Sequence, residues 1–407
     1  MPKQRLQGTY GAVRKHLEEE MHHGCAGSYN DVRCSHFSIG LRKILCYRHQ
    51  LDASYTAATS SYSLPTVSKM HSAPSHLTLP SAPQSLPVVD ITGLRNPELS
   101  EQRAVAQQLR QACEHRGFFY ITGHGIDPEL MRAVFTASQN FFAQSLDIKQ
   151  RSNKMHSTCN RGFEPLRAQT LEMGGLPDLK ESFYIGPEVA ANDPRVLAGR
   201  FNTGPNQWPD GLPGFRDVMQ QYFDAAYELG STLVRGLALS LDLPANYFDA
   251  YLEEAAATLR LLHYPPQPAN PHPGEKGCGE HTDFGCLTLL LQDQTGGLQV
   301  WDTAHQAWVD APPMRNAFVV NIGDLMARWT NDRYVSTLHR VINASGKERY
   351  SVPFFFTGNP LHVVECIPTC LQPGTAPKYP PVTVEAHQRE CYRRTYGAGF
   401  RDNATAN

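Results

Sequence analysis

Three residues with side chains suited to holding a metal ion stand beside apolar segments in the last third of the chain. His281 and Asp283 lie two residues apart in "GEHTDFGCLTLLLQD" (279–293), just before a leucine-rich run. Side chains on a strand alternate between its two faces, so this pair can reach one point together. His339 lies in a second apolar segment, "STLHRVI". Two histidines and one carboxylate suit Fe(II), because three ligands on one face leave three positions open; zinc, which also accepts nitrogen and oxygen donors, is the competing metal.

A second polar pair, Arg349 and Ser351, interrupts the apolar segment "ERYSVPFFF". On a strand these two side chains share a face. An arginine is costly to bury without an anionic partner, whereas a guanidinium can hold a carboxylate through two parallel hydrogen bonds. The serine hydroxyl can add a third. The sequence therefore predicts a metal with open positions and a carboxylate clamp nearby.

The elements that must position these residues are short and apolar. From about residue 257, segments such as "CLTLLLQD" and "AFVVNIGDL" alternate with turns rich in Gly, Pro, Asn and Asp, which predicts a β-sandwich or barrel. The absence of long intervening helices and of a glycine-rich nucleotide motif argues against a Rossmann fold. Further upstream, the sequence predicts strands near 86–94 and 118–126 and a long amphipathic helix over 214–243. It also predicts a helix that Asp127 caps and Pro128 begins.

Composition excludes several classes of function. Hydrophobic residues make up 41% and charged residues 19%, and the formal net charge is −2, which offers no electrostatic case for nucleic acid or a membrane surface. No apolar run reaches the roughly 18–20 residues of a membrane helix. The 10 cysteines contain no CxxC pair, so free thiols in a reducing compartment are expected, and we predict a cytoplasmic location.

The first 85 residues differ from the rest because they are rich in Ser, His and Tyr and show no sustained period. We predict a disordered leader that ends in the Pro/Ser linker "SAPSHLTLPSAPQSLP" (72–87). One hypothesis is that translation begins at Met70, just before this linker.

The motifs taken together resemble the Fe(II)/2-oxoglutarate-dependent dioxygenases, in the branch that includes isopenicillin N synthase and the plant flavonoid and gibberellin oxygenases. "LPVVDITGL" and "CEHRGFFYITGHGI" resemble the opening of that branch, and "RGFEPL", "DLKESFYIG" and "NQWPD" its middle segments. Its catalytic core resembles, in order, "LRLLHYPPQP", "HTDFGCLTLLLQD", "GGLQVW", "NIGDLMARWTNDRY", "LHRV" and "RYSVPFFF". The resemblance covers residues from about 86 to 375.

The resemblance implies an α+β fold, with a double-stranded β-helix (jelly-roll) core and flanking helices. It divides the chain into an N-terminal dioxygenase domain (86–205), a bracing helix region (206–255), the Fe(II)/2-oxoglutarate core (256–360) and a C-terminal helix and tail (361–407). The implied iron ligands are His281, Asp283 and His339. The implied contacts of 2-oxoglutarate are Arg349, Ser351 and Tyr264.

The substrate contacts implied by the resemblance are less defined. Four residues lie in segments that face the pocket in similar proteins: Phe284, Phe183, Arg161 and Phe356. The alternative without a role in substrate binding is that the phenylalanines are core residues and that Arg161 is a surface charge. One departure concerns "LHYPP", where plant members often have Asn-Tyr-Tyr-Pro: Leu262 and His263 replace the asparagine and the first tyrosine. A polar contact of the plant enzymes is therefore missing, and a plant-type substrate is not implied.

The implied activity consumes O₂ and converts 2-oxoglutarate to succinate and CO₂ while it oxidises a C–H bond of a small molecule. Hydroxylation is the default outcome; desaturation and ring closure are alternatives. Rival functions are an isopenicillin N synthase-type oxidase that uses no 2-oxoglutarate, an ethylene-forming enzyme, a non-catalytic jelly-roll binding module and a zinc hydrolase. No nucleic-acid or membrane partner is expected, and the chain is predicted to be a monomer or a weak homo-oligomer.

Overall fold

The computed structural model describes residues 85–267, 270 and 272–396. The predictions for residues 1–84, including the start at Met70, and for the tail after residue 396 lie outside this part of the chain. The strands, in chain order, are β1 (Val88–Asp90), β2 (Phe118–Thr122), β3 (Gly162–Glu164), β4 (Glu181–Ile185), β5 (Ala256–Tyr264), β6 (Cys278–His281), β7 (Leu287–Gln292), β8 (Leu298–Asp302), β9 (Ala307–Asp310), β10 (Phe318–Ile322), β11 (His339–Val341), β12 (Arg349–Gly358), β13 (Val363–Val364) and β14 (Val382–Thr383).

The α-helices are α1 (Leu99–His115), α2 (Pro128–Phe142), α3 (Leu146–Arg151), α4 (Pro194–Leu197), α5 (Phe215–Ser240), α6 (Asp249–Leu252), α7 (Asp324–Trp329) and α8 (Val384–Tyr396). The predicted start of α2 is confirmed, since Asp127 accepts a hydrogen bond from the backbone N–H of Glu129 (2.8 Å) and Pro128 begins the helix. Within the described residues, no helix is both long enough and apolar enough to cross a membrane.

Two sheets form the body of the molecule. The larger has eight strands in the order β1-β2-β10-β7-β12-β5-β4-β3, and the smaller has four in the order β6-β11-β8-β9. Only β1 and β2 pair in parallel; the other strand pairs of these two sheets are antiparallel. Residues 86–205, predicted as an N-terminal domain, supply strands at both edges of the larger sheet and so share that sheet with the predicted core.

A cluster of buried apolar side chains drawn from both sheets lies between them. It includes Tyr264 of β5, Cys278 of β6, Val300 of β8 and Val341 of β11. The larger sheet also has an outer face, which packs against helices in the main hydrophobic core. Two stacked sheets with helices outside them confirm the predicted α+β class with a jelly-roll core.

The long helix α5 covers the outer face of the larger sheet. Its buried residues recur every three or four positions, from Met219 through Ala226 to Leu233. Gly230 lets the helix approach β12 closely: a Cβ at this position would lie 2.6 Å from Cδ2 of Phe356. Phe356 is thus a core residue between the sheet and the helix.

Side chains of the larger sheet alternate strictly between its two faces. On β4, Tyr184 points into the space between the sheets while Phe183 joins the outer core. On β5, Arg260 faces inward and Leu261 outward. Because Tyr184 and Arg260 are register partners, the inward residues of neighbouring strands form one continuous wall.

Candidate functional site

The three predicted metal ligands meet at one end of the smaller sheet. His281 ends β6 and His339 begins β11, and the two residues are direct partners in the antiparallel register. Asp283 follows β6, and its Oδ1 lies 3.8 Å from the Nε2 atom of each histidine. One donor atom from each of the three residues lies within 4.8 Å of the other two. The structure therefore brings together the set that the sequence predicts.

Backbone carbonyls orient both imidazole rings. The Nδ1–H of His281 donates to the carbonyl of Gly279 (2.8 Å), and that of His339 donates to the carbonyl of Thr337 (3.1 Å). Since a carbonyl can only accept, Nδ1 carries the proton and Nε2 keeps its lone pair. Both free lone pairs are then available on the side of Asp283, as metal-bound histidines require.

Two polar residues that the sequence reasoning missed hold Asp283. Its Oδ2 accepts hydrogen bonds from Thr288 Oγ1 (2.5 Å) and Asn321 Nδ2 (2.7 Å), which leaves Oδ1 for another partner. Thr288 of β7 and Asn321 of β10 are register partners in the larger sheet. The sequence contained a signal for both residues, since each is a polar residue in the interior of a mostly apolar strand.

Burial and the neighbouring groups together set the protonation states of the three residues. It lowers the pKa of His281 and, together with the nearby His281 ring, lowers the pKa of His339 to about 4. Burial alone would raise the pKa of Asp283, but the two histidines and the hydrogen bonds from Thr288 and Asn321 outweigh it and lower that pKa. Neutral imidazoles beside a carboxylate are the forms that bind a divalent metal, so the donor set fits ferrous iron.

The predicted carboxylate clamp lies between the sheets on β12 and β5. Arg349 is completely buried; its guanidinium donates to Gly296 O (2.6 Å), Ser351 Oγ (3.1 Å) and Gln292 Oε1 (3.3 Å) and lies 4.7 Å from the ring centre of Tyr264. Arg349 and Tyr264 are register partners. Within the described part of the chain, no carboxylate side chain pairs with Arg349. A buried cation without an acid is well suited to an anionic ligand.

A cavity adjoins the predicted metal ligands. Its walls combine rings, amides and one arginine: Gln169, Leu171, Tyr184, Thr258, Arg260, His281, Asp283, Phe284, Gly285, Phe355, Thr357, Gln388, Tyr392 and Tyr396. Its empty space is about 600 Å³, part of it open to solvent. The C-terminal helix α8 contributes Gln388, Tyr392 and Tyr396, and the His387 ring of the same helix hydrogen-bonds to the carbonyl of Phe284 (2.9 Å).

Of the four predicted substrate contacts, only Phe284 lines this cavity. The placements of Phe183 and Phe356 are wrong: both side chains are fully buried in the outer core, because strand alternation turns them away from the cavity. Their neighbours Tyr184 and Phe355 line the cavity instead. The predicted strands do line the cavity, but with the face opposite to the one that carries Phe183 and Phe356.

Arg161 is neither a cavity residue nor a surface charge. It is almost fully buried, and its guanidinium donates to the backbone carbonyls of Cys159 (3.0 Å) and Asn202 (2.6 Å). Its side chain lies so close to Gly186 that a Cβ there would overlap the guanidinium. These contacts give Arg161 a structural position that ties two loops to the end of β4.

The two residues that depart from the plant pattern in "LHYPP", Leu262 and His263, lie on opposite faces of β5. Leu262 joins the apolar cluster between the sheets, where it lies beside Tyr264. His263 faces the other side, where its ring stacks on Tyr350 and its Nδ1 lies 2.8 Å from Glu181 Oε1. Neither residue supplies the polar contact that an asparagine would give to the interior.

Two family models match the chain. Residues 86–211 match the model described as "non-haem dioxygenase in morphine synthesis N-terminal", and residues 255–358 match the 2OG-Fe(II) oxygenase superfamily. A 2-oxoglutarate-Fe(II) type oxidoreductase, hxnY of Emericella nidulans, is 48% identical over 320 residues, which cover 78% of this chain and 92% of the relative. The 2-oxoglutarate-dependent dioxygenase citB of Monascus ruber is 43% identical over 282 residues, or 67% of this chain and 85% of the relative.

Solved structures share the fold. A full-length Neurospora crassa protein in complex with alpha-KG and thymine has a TM-score of 0.66 and 31% identity, over 76% of this chain and 96% of that one. The dioxygenase for auxin oxidation from rice has a TM-score of 0.61 and 25% identity, over 79% of this chain and 98% of that one. Both similarities extend over most of the residues that the structure describes.

Proposed function

Since the chain belongs to the 2OG-Fe(II) oxygenase superfamily, we propose that His281, Asp283 and His339 hold its ferrous iron. The observation that carries this assignment is the orientation of the donors. Both Nε2 atoms and Oδ1 of Asp283 converge, while every other polar atom of the three side chains is hydrogen-bonded away from them. Three ligands on one face leave room for a bidentate co-substrate and O₂.

Arg349, Ser351 and Tyr264 are the proposed site for the distal carboxylate of 2-oxoglutarate. The guanidinium has five N–H groups, and the described residues accept from three of them. One N–H on each terminal nitrogen is left, which suits the two oxygens of a carboxylate. The apolar cluster around Tyr264, including Leu262 and Val300, excludes water from the carbon chain between this carboxylate and the metal.

The enzyme is a 2-oxoglutarate-dependent non-haem iron dioxygenase. When bound, iron and 2-oxoglutarate together activate O₂, with release of succinate and CO₂, for oxidation of the substrate. We assign hydroxylation of a C–H bond in a small molecule as the reaction. In this scheme Phe284 and Phe355 form the walls that hold the substrate beside the iron ligands, and α8 shields it from solvent.

An anaerobic titration tests the assignment. Fe(II) and then 2-oxoglutarate are added to the full chain while the visible absorption spectrum is followed; a charge-transfer band on adding 2-oxoglutarate is the expected result. The variant His339→Ala should bind little iron and give no band. Iron binding without a band in the unaltered protein would favour an oxidase that uses no 2-oxoglutarate, and headspace gas analysis separates an ethylene-forming reaction.

The remaining parts of the proposal are a cytoplasmic location and a monomer or weak homo-oligomer. The seven described cysteines are all free thiols, which supports a reducing compartment. Cell fractionation and sedimentation of the purified chain test these two points.

A further inference from the structure

A buried polar cluster stands in the wall of the cavity, away from the metal ligands. It consists of Arg260 on β5, Glu164 on β3, Ser182 on β4 and Gln169 in the loop after β3; we call it the Arg260 cluster. Nη2 of Arg260 donates to Glu164 Oε2 (2.8 Å), Gln169 Oε1 (2.9 Å) and Ser182 Oγ (3.0 Å). The guanidinium lies 4.5 Å from the ring centre of Tyr184. These contacts fix the arginine firmly in one orientation.

The guanidinium of Arg260 is only partly used by these contacts. Among the described residues, all of its hydrogen bonds leave from Nη2, and Nε is buried without an acceptor. Arg260 is buried, with 6% of its surface exposed, and it lines the cavity. A buried donor without an acceptor costs stability unless a ligand supplies one. The unused edge of the guanidinium therefore points to an acceptor that comes from outside the chain.

The charges around the cluster do not balance. Glu164 faces two cations, Arg260 and Lys154, whose Nζ lies 3.0 Å from Glu164 Oε1. Lys154 also lies over the rings of Tyr184 (4.4 Å) and Tyr396 (4.1 Å), which both line the cavity. The nearby buried acid Asp178 already pairs with Lys180. The cluster thus carries an excess of positive charge in a buried wall, where an anion would be attracted.

The Arg260 cluster is separate from the clamp at Arg349. Arg349 of β12 is the register partner of Tyr264 on β5. Arg260 is also on β5, four residues before Tyr264. Four residues of extended strand span about 13 Å. The inner face of β5 therefore adjoins two different sites for anions, one at Arg349 and one at Arg260. The cavity reaches the site at Arg260.

We propose that Arg260 binds a carboxylate of the substrate, and that the substrate is a ring-bearing organic acid. This inference rests on the proposed function and names the class of molecule that its cavity accepts. Arg260 would hold the acid group at one end, with aromatic side chains such as Phe284, Phe355 and Tyr392 around the ring. The ligands His281 and Asp283 line the same cavity, so a ring anchored in this way lies beside the proposed iron. A purely structural ion pair with Glu164 would not require the unused guanidinium edge.

A binding experiment with matched acids and amides tests this role. Benzoate, phenylacetate and 2-naphthoate, each beside its carboxamide, are titrated by calorimetry into the full chain loaded with Fe(II) and saturating 2-oxoglutarate under anaerobic conditions. Saturating 2-oxoglutarate keeps the probes out of the Arg349 clamp. We expect at least one acid to bind at least tenfold more tightly than its amide. In Arg260→Gln the affinity of that acid should fall by about 30-fold or more, while the amide binds as before.

Three controls separate this role from a structural one. Arg260→Lys keeps the charge and should retain part of the preference for the acid. Arg333→Gln also removes an arginine that pairs with one glutamate (Glu114, 2.8 Å), but it lies outside the cavity and should leave the preference intact. The charge-transfer band of bound 2-oxoglutarate must persist in each variant, which shows that the protein is folded and separates failure here from failure of the proposed function.

Two results would overturn the assignment of Arg260. One is that, with the 2-oxoglutarate band present, no acid binds the unaltered protein better than its amide. The same holds if no acid binds at about 10 mM, a dissociation constant that corresponds to under 3 kcal/mol of binding free energy. The other is that Arg260→Gln keeps the full preference for the acid.

Discussion

Arg349 is the cation of the proposed site for the distal carboxylate of 2-oxoglutarate, and replacing it by leucine removes that charge. Arg349→Leu takes away the two N–H groups left for the ligand and the charge behind them. Loss of one partner of a buried, charge-assisted contact costs about 2–5 kcal/mol of binding free energy. That corresponds to a loss of affinity for 2-oxoglutarate of roughly 30-fold to several thousand-fold. Since the described hydrogen bonds of Arg349 go to Gly296, Ser351 and Gln292 and not to a proposed iron ligand, iron affinity should stay unchanged.

The assay follows the charge-transfer band while 2-oxoglutarate is added anaerobically to each Fe(II)-loaded variant. Ser351→Ala serves as the graded control: one neutral hydroxyl is worth about 1 kcal/mol, so the affinity should fall only about fivefold. Arg349→Lys, which keeps the charge but loses the forked geometry, should lie between these two variants. A folded Arg349→Leu protein that binds 2-oxoglutarate with undiminished affinity would place the carboxylate elsewhere.

Three further substitutions test other parts of the structure. Asn321→Ala removes a hydrogen bond to Asp283 and should weaken Fe(II) affinity by roughly 10–100-fold in a competition titration; unchanged affinity would show that this bond does not orient the ligand. Gly230→Val puts a side chain against Phe356 and should lower the free energy of unfolding by about 1–3 kcal/mol in urea, so an unchanged midpoint would mean that the helix can move away. Burial would raise the pKa of Glu164, but the two cations it faces hold that pKa well below its ordinary value. Its contribution to stability is therefore complete above about pH 5 and is lost as the pH falls below about 4.3. Urea midpoints between about pH 7 and pH 3.5, a range that includes the beginning of this loss, should fall less steeply for Glu164→Gln; parallel curves would contradict this linkage.

The sequence predicted those parts of the site that depend on local spacing. His281 and Asp283 lie two apart, as do Arg349 and Ser351, and strand alternation alone places each pair on one face. His339 lies far beyond His281 in the chain, yet its apolar segment marked it as a strand residue, and the register of β6 and β11 brings the two together.

The errors came from the choice between two strand faces. Phe183 and Phe356 lie in the correct strands, but periodicity of two does not say which face points inward when both faces are buried. All five residues of β4 are buried, for example, so the alternation of polar and apolar residues that would mark an inner face is missing. For Phe356, the close packing of α5 against its ring accounts for its position on the outer face.

Arg260 was missed although its signal resembles that of Arg349. Both are arginines inside apolar strands, and the reasoning applied to "ERYSVPFFF" would have singled out "TLRLLHY" as well. Its partner Glu164 lies 96 residues away, so no local pattern predicts the pairing. The supports of Asp283, by contrast, lie within two strands that the sequence did predict.

The distribution of the site over two sheets has a consequence for protein engineering. The proposed iron ligands belong to β6, its following turn and β11 in the smaller sheet, whereas the cavity wall around Arg260 belongs to β4, β5 and β12 of the larger one. Mutant libraries confined to inward positions of the larger sheet, such as Thr258, Phe355 and Thr357, leave every proposed iron ligand untouched. The scaffold thus lends itself to directed evolution of selectivity at these three positions, with the proposed iron ligands and the Arg349 clamp left intact.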